Sequence, residues 1–200
     1  MSKFCEYYFS PQSPWAYLGH QRFVDMAKRQ GVKIEVKPFD LAKVFAISGG
    51  LPLAKRAPQR QAYRLTEMQR WSEHLGMPMN LQPSFFPVAA DPAALMIIAA
   101  QLAHGTEAAL TLTGVIMRAL WAEQKNIADP DTLVGLAFDC ELDGKQMLKS
   151  SETASVQAEY ERFTNEAIAA NVFGVPWFSY EGESFWGQDR LDFLERAFQK

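Results

Sequence analysis

The chain of 200 residues can form one large domain or two small ones, and its 48% hydrophobic and 22% charged residues are those of a globular protein, not a disordered or fibrous one. A net charge of -3, with no long Lys/Arg run, argues against nucleic acid as the main partner, since such proteins carry a concentrated basic face. The longest apolar region, Ala89 to Ala103, is interrupted by Asp91, Pro92 and Gln101, so no membrane span is expected.

The N-terminal stretch MSKFCEYYF has no long apolar segment ahead of its first polar residues, which predicts no signal peptide and a cytoplasmic protein. Phe4 to Phe9 is nearly all apolar and aromatic, as in a short strand buried on both faces. Ser13-Pro14 then opens a helix: Trp15, Leu18, Phe23, Met26 and Ala27 recur at helical spacing and Gly31 is placed to end it. Val32, Ile34 and Val36 alternate with Lys33, Glu35 and Lys37, which reads as a second strand. Strand, helix and strand make a βαβ unit, whose strands run parallel.

Ser48-Gly49-Gly50 and Pro52 to Pro58 read as a loop, and from about Arg60 to Asn171 the pattern is helical, with five or six helices. Asp91-Pro92 and Asp129-Pro130 read as N-cap and first-turn pairs. Gly105 should stop one helix and Thr106 start the next; Asp143 opens a shorter one and Thr153 to Ala170 another. The segment VPWFSY is a strand with Pro176 at its start, and ESFWG, beyond Glu181-Gly182, is its hairpin partner. Leu191, Leu194, Ala197 and Phe198 mark one face of a closing helix. The order βαβ, helical block, ββα is an α/β, thioredoxin-like arrangement of the DsbA type. Its thioredoxin-like domain is expected over 1–45 plus 172–200, and its helical insertion over 46–171.

Cys5 and Cys140 form no CxxC, and His20, His74 and His104 show no metal spacing, so neither a disulfide nor a metal site is expected. Three stretches carry the chemistry. Ser13 reads locally as a helix cap, or as a donor at a helix N-terminus whose partial positive charge stabilises a thiolate. Pro176 reads as an ordinary proline at a strand start, or as the cis proline that thioredoxin-like sheets hold beside the active helix, offering the Val175 backbone to an extended peptide. In FWGQDRL, Asp189 caps the last helix or holds an ammonium group, with Gln188 and the helix start taking a carboxylate.

FSPQSPWAYLG near the start and NEAIAANVFGVPWFSYEGESFWGQDRLDFLERAF at the end resemble the 2-hydroxychromene-2-carboxylate isomerase family, close to kappa-class glutathione transferases. The resemblance implies that the nucleophile is the cysteine of bound glutathione. Ser13 then matches the catalytic serine at its sulfur, Val175 beside Pro176 the backbone partner of its cysteinyl part, and Gln188 and Asp189 the receivers of its γ-glutamyl end. A basic residue of the family falls near Arg60, with Lys55 or Arg56 in its place if the loop is shifted. The implied function is a glutathione-dependent isomerase in aromatic-compound degradation, acting as a homodimer on a small conjugated 2-oxo or 2-hydroxy acid. The alternatives are a kappa-like glutathione transferase or peroxidase, and a non-catalytic peptide-binding module.

Overall fold

Strand β1 (Phe4–Phe9) pairs in parallel with β2 (Lys33–Pro38), in the register Tyr7↔Val36. On its other side β1 pairs antiparallel with β3 (Trp177–Tyr180), which turns back into β4 (Glu183–Trp186). The sheet order is thus β2-β1-β3-β4 in the computed structural model, which describes residues 3–200. Met1 and Ser2, the start of the stretch read above as leaderless, lie outside the described residues. The β3–β4 hairpin turns on Glu181 and Gly182, both at positive φ (48° and 81°), as a two-residue turn matched to strand twist requires.

Helix α1 (Pro14–Arg29) connects β1 to β2, and α2 (Leu41–Ser48) follows β2. After a short 3₁₀ turn at Leu53–Lys55 come α3 (Pro58–Leu75), α4 (Asp91–His104), α5 (Thr106–Trp121), α6 (Pro130–Phe138), α7 (Gly144–Ser151) and α8 (Ala154–Ala169). The chain ends with a 3₁₀ turn at Gln188–Arg190 and α9 (Leu191–Phe198). Several starts follow from single side chains. Asp129 Oδ2 accepts from Thr132 N at 2.8 Å, and Asp143 Oδ1 from Gln146 N at 3.0 Å, each satisfying an N–H that the helix leaves free.

Both faces of the sheet are covered. On one, Tyr7 stacks on Phe178 with ring centroids 5.4 Å apart, and Phe23 of α1 closes on Phe178 at 4.6 Å. That cluster runs without a break into α4, α5, α6 and α9 through Ile97, Leu112, Leu133 and Leu194. On the other face Tyr8, Val175 and Trp177 meet Val44 of α2, Ile98 of α4 and Phe163 of α8.

Two local expectations are corrected, and two features lie beyond what the sequence pattern predicts. Phe4 is exposed at the outer end of β1, so that strand is buried on both faces only from its middle onward. Lys37 points inward: its ammonium is ringed by Glu6, Glu35 and Glu166, and three carboxylates compensate its burial. Asp91 lies inside the first turn of α4 and does not cap it. Ala90 is already in helical conformation, and the Asp91 carboxylate accepts from Tyr160 Oη at 2.7 Å. Finally, Leu41–Ser48, left unassigned by its pattern, is a helix, capped by Asp40 and ended by Gly49.

Candidate functional site

Beyond Phe9 the chain turns through Ser10 to Ser13, whose N–H donates to Ser10 O at 2.9 Å. Ser13 caps α1: its extended backbone precedes Pro14, and its Oγ accepts from Ala16 N at 3.2 Å. The first turn of α1 holds no acidic side chain, while Lys28 and Arg29 sit at the far end. The positive end of the helix dipole is therefore uncompensated. The Ser13 side chain is buried, and among the described residues its O–H has no acceptor. One half of the hydroxyl serves the helix and the other half remains available to an anion.

The Val175–Pro176 bond is cis, as the thioredoxin-like reading expects. Because Tyr8 pairs with Trp177, one further step of the register sets Pro176 level with Phe9, at the end of β1 that leads into Ser13. Val175 stands outside the ladder, and its N–H and C=O have no partner among the described residues. Pro176 O accepts from Gly187 N at 2.9 Å, which ties the third stretch to the same end of the sheet.

In that stretch the two polar residues part company. Gln188 is buried and its Oε1 accepts from Arg22 Nη1 at 2.7 Å, so its carbonyl is committed to α1 and only its amide N–H groups are free. Asp189 is half-exposed and takes Arg190 Nη1 at 2.7 Å. It does not cap α9, because a 3₁₀ turn intervenes and Arg190 occupies the cap position. Arg60 is exposed on the first turn of α3, with no ion pair among the described residues. Lys55 is exposed too, and Arg56 Nε donates to Leu51 O at 2.8 Å. The structure thus gathers Ser13, Val175, Pro176, Gln188 and Asp189 at one end of the sheet, while Arg60 comes from the first turn of α3, with no hydrogen bond to them among the described residues.

Residues that the sequence reading passed over complete the surroundings. Phe173 and Trp186, both exposed, meet edge to face at 4.8 Å, and Phe173 meets Trp177 at 5.0 Å, building an apolar wall beside Val175. His20, buried on α1, lies 3.0 Å from Leu110 O through Nε2 and 3.4 Å from Tyr7 Oη through Nδ1. Burial drives its pKa down to about 4, so the ring is neutral at physiological pH. Arg64, one turn beyond Arg60 on α3, stands over Phe86 and Trp121. The spacing of Arg60 and Arg64 with no acid between them was the signal that would have found it. A surface groove of about 580 Å³ between β4 and α9 is lined by neither Ser13 nor Val175, although Arg190, which borders it, pairs with Asp189.

A serine at a bare helix N-terminus, a cis proline across from it and an unpaired backbone beside that proline define a thioredoxin-like site without a cysteine. The chain belongs to the DsbA-like thioredoxin domain family, whose model matches residues 5–199. Within it, the chain is 29% identical over 197 residues to the 2-hydroxychromene-2-carboxylate isomerase of Sphingobium xenophagum, covering 98% of this chain and 97% of that one. It is 24% identical over 218 residues to glutathione S-transferase kappa 2 of Caenorhabditis elegans, covering 98% and 94% of the two chains. A solved 2-hydroxychromene-2-carboxylate isomerase superposes with a TM-score of 0.82 at 25% identity, covering 98% of this chain and 94% of the other.

Proposed function

We propose that the chain is an isomerase of the 2-hydroxychromene-2-carboxylate type, using glutathione as its thiol on aromatic-derived, conjugated 2-oxo or 2-hydroxy acids. The coarser part, an isomerase in the DsbA-like family, rests on likeness along the whole chain. The glutathione part is supported by one observation above all: the uncommitted Ser13 O–H at the uncompensated start of α1. The kappa-class relative, named as a glutathione transferase, agrees with it.

The chemistry glutathione supplies when bound is a thiolate nucleophile, added and released within one turnover. Ser13 donates its O–H to that negative charge, and the first N–H groups of α1 add to it. Val175 offers its unpaired N–H and C=O to a peptide backbone laid beside Pro176. Asp189 receives an ammonium group, while the free amide of Gln188 and the turn it begins receive a carboxylate. Arg60, or Lys55 or Arg56 in its place, meets the remaining carboxylate. The energies suffice. Bringing a thiol of pKa about 8.5 down by about two takes roughly 2.7 kcal/mol. A hydrogen bond to a charged group contributes about 1.5–3 kcal/mol and a helix end about 0.3–1.

The chain's own sulfur does not fit this role. Ala16 occupies the position three residues beyond Ser13, Cys5 is buried with its thiol pushed up by desolvation, and Cys140 lies in the helical block. In this reading the protein works as a homodimer in the cytoplasm, where glutathione is kept reduced.

The test is a glutathione titration followed by calorimetry and thiolate absorbance, on wild type, Ser13→Ala and Ser13→Asp. Wild type binds at millimolar glutathione and holds the thiol ionised near neutral pH. Alanine raises the bound thiol's pKa and slows isomerisation while keeping much of the affinity. Aspartate caps the helix well yet does worse, because its charge opposes the thiolate. If aspartate keeps both the pKa and the rate, Ser13 is only a cap. The kappa-class relative favours a second reading, transfer or peroxide reduction. Free glutathione separates the two, since it stays constant in isomerisation and falls in the others.

A further inference from the structure

Strand β4 lies at the edge of the sheet, and between it and α9 runs the surface groove of about 580 Å³. That volume falls within the range of small-molecule sites, about 300–1,000 Å³. Trp186 and Phe193, both half-exposed, stand along it, and Phe185 is partly buried behind them. The charges that line it are Arg190, Arg196 and Lys200 against Glu183 alone, in a chain of net charge -3. Lys200 and Glu183 pair with each other at 3.3 Å, which leaves the two arginines. Arg196 forms no ion pair among the described residues, and its Cζ stands 5.6 Å from the Phe193 ring centroid. One face of that guanidinium rests on a ring, while its fork of N–H donors is left to solvent.

Arg190 belongs to the groove and to the neighbouring site at once. Its Nη1 donates to Asp189 Oδ2 at 2.7 Å and to Asp189 O at 3.2 Å, while its half-exposed side chain lines the groove. Asp189 is the residue proposed above to receive the ammonium group of glutathione. Arg190 therefore engages the carboxylate that the ammonium needs. Both members of the pair are open to solvent, and pairs of this kind shift an equilibrium by no more than about fivefold. A second acceptor on the groove side draws Arg190 away and leaves Asp189 to the ammonium.

We propose that the groove between β4 and α9 binds an aryl carboxylate, its acid on Arg196 and Arg190 and its ring against Phe193 and Trp186, and that this ligand strengthens glutathione binding by releasing Asp189 from Arg190. The site follows from the groove alone, whereas the coupling rests on the glutathione reading above. A carboxylate is the anion that a planar fork of N–H donors matches, and Arg196 has no competing acid to displace. The exposed rings select a flat apolar body over a free inorganic ion. Aryl acids are also the class on which the proposed reaction acts, so a protein with that activity works among such ligands. Neither Ser13 nor Val175 lines the groove, which keeps this ligand apart from the reacting thiol. The coupling is reciprocal: glutathione raises the affinity for the groove ligand by the same factor.

The probes are 2-naphthoate and 2-naphthamide, its uncharged isostere, titrated by calorimetry alone and together with glutathione. Wild type is expected to prefer the acid. Arg196→Gln should weaken naphthoate binding by about tenfold, the scale of a lost charge-assisted hydrogen bond, and leave naphthamide and glutathione affinities unchanged. Arg196→Lys should recover part of the loss, because it keeps the charge without the fork. Saturating naphthoate should raise the glutathione affinity of wild type by about twofold to fivefold, the scale of an exposed ion pair. Arg190→Gln should bind glutathione more tightly without naphthoate and show no further gain with it. The groove site is overturned if wild type shows no preference for the acid, or if Arg196→Gln binds naphthoate as wild type does. Naphthoate that lowers glutathione affinity occupies the glutathione site and overturns the proposal as well, and an unchanged affinity overturns the coupling. Absence of glutathione binding to wild type would remove the glutathione reading, and the acid–amide comparison in wild type and Arg196→Gln would still decide the groove.

Discussion

Ser13 at the start of α1 and His20, seven residues along it, are both buried, but Ser13 keeps a free donor and His20 has both ring nitrogens engaged within the core. The His20 arrangement has a measurable cost in acid. Its pKa in the fold is about 4 against an ordinary 6.5, chiefly through burial, opposed by the Leu110 carbonyl and the charge of Asp25. A lowered value means that the unfolded chain binds the proton more readily than the fold does. This contribution is therefore complete above about pH 6.5 and is lost as pH falls towards 4, by about 3 kcal/mol in all. Urea midpoints measured from about pH 7.5 down to 4.5 should drop more steeply for wild type than for His20→Gln. Parallel slopes would mean that the imidazole is not held neutral. Ser13 was legible because an N-cap declares itself within four residues. His20 and Arg64 were not, because what gives them meaning is Leu110, Phe86 and Trp121, far along the chain.

Among the elements, α1 acts as the bed on which the turn Gln188–Arg190 rests. Gly19 makes that possible: a Cβ at this position would come within 2.7 Å of Gln188 Cβ and 3.4 Å of its Cα. An alanine would otherwise favour the helix by roughly 0.5–1 kcal/mol, but crowding of this kind costs about 1–3 kcal/mol. Gly19→Ala should thus lower the melting temperature by a few degrees and weaken glutathione binding through displacement of Asp189. A higher melting temperature with unchanged binding would contradict this seat. The βαβ unit and the terminal hairpin were readable because alternation and the Glu181-Gly182 turn are local signals. Helix α2 was missed because eight mostly apolar residues show no helical face, although Asp40 and Gly49 bracket it. The inward turn of Lys37 could not be seen either, since one of its three acids, Glu166, lies on α8.

For the molecule as a whole, sheet and helices share their apolar packing: Phe178, Leu18, Ile97 and Leu133 belong to one continuous cluster. We propose that 1–45 plus 172–200 form the thioredoxin-like frame and 46–171 its insertion, folding as one unit. Calorimetry should show a single transition with equal van't Hoff and calorimetric enthalpies, and two resolved transitions would separate the parts. Sedimentation at micromolar concentration should give a homodimer, and a monomer would remove that expectation. Order and length of elements made this architecture legible in the sequence. The committed carbonyl of Gln188 was not, because Arg22 lies at the other end of the chain and only the folded topology unites them.

The serine at the start of α1, with Cys5 buried and alanine three residues on, bears on how such a catalyst ages. An enzyme whose own thiol does the work is poisoned permanently by one encounter with an alkylating or over-oxidising compound. Here, in the proposed reading, the vulnerable sulfur belongs to a diffusible tripeptide, so the damaged atom leaves with it and a fresh one takes its place. Ser13 and the Val175 backbone resist the same reagents. For a protein that in this reading handles electrophilic aromatic metabolites, wear is thereby shifted onto a renewable part, and its working lifetime becomes that of the fold.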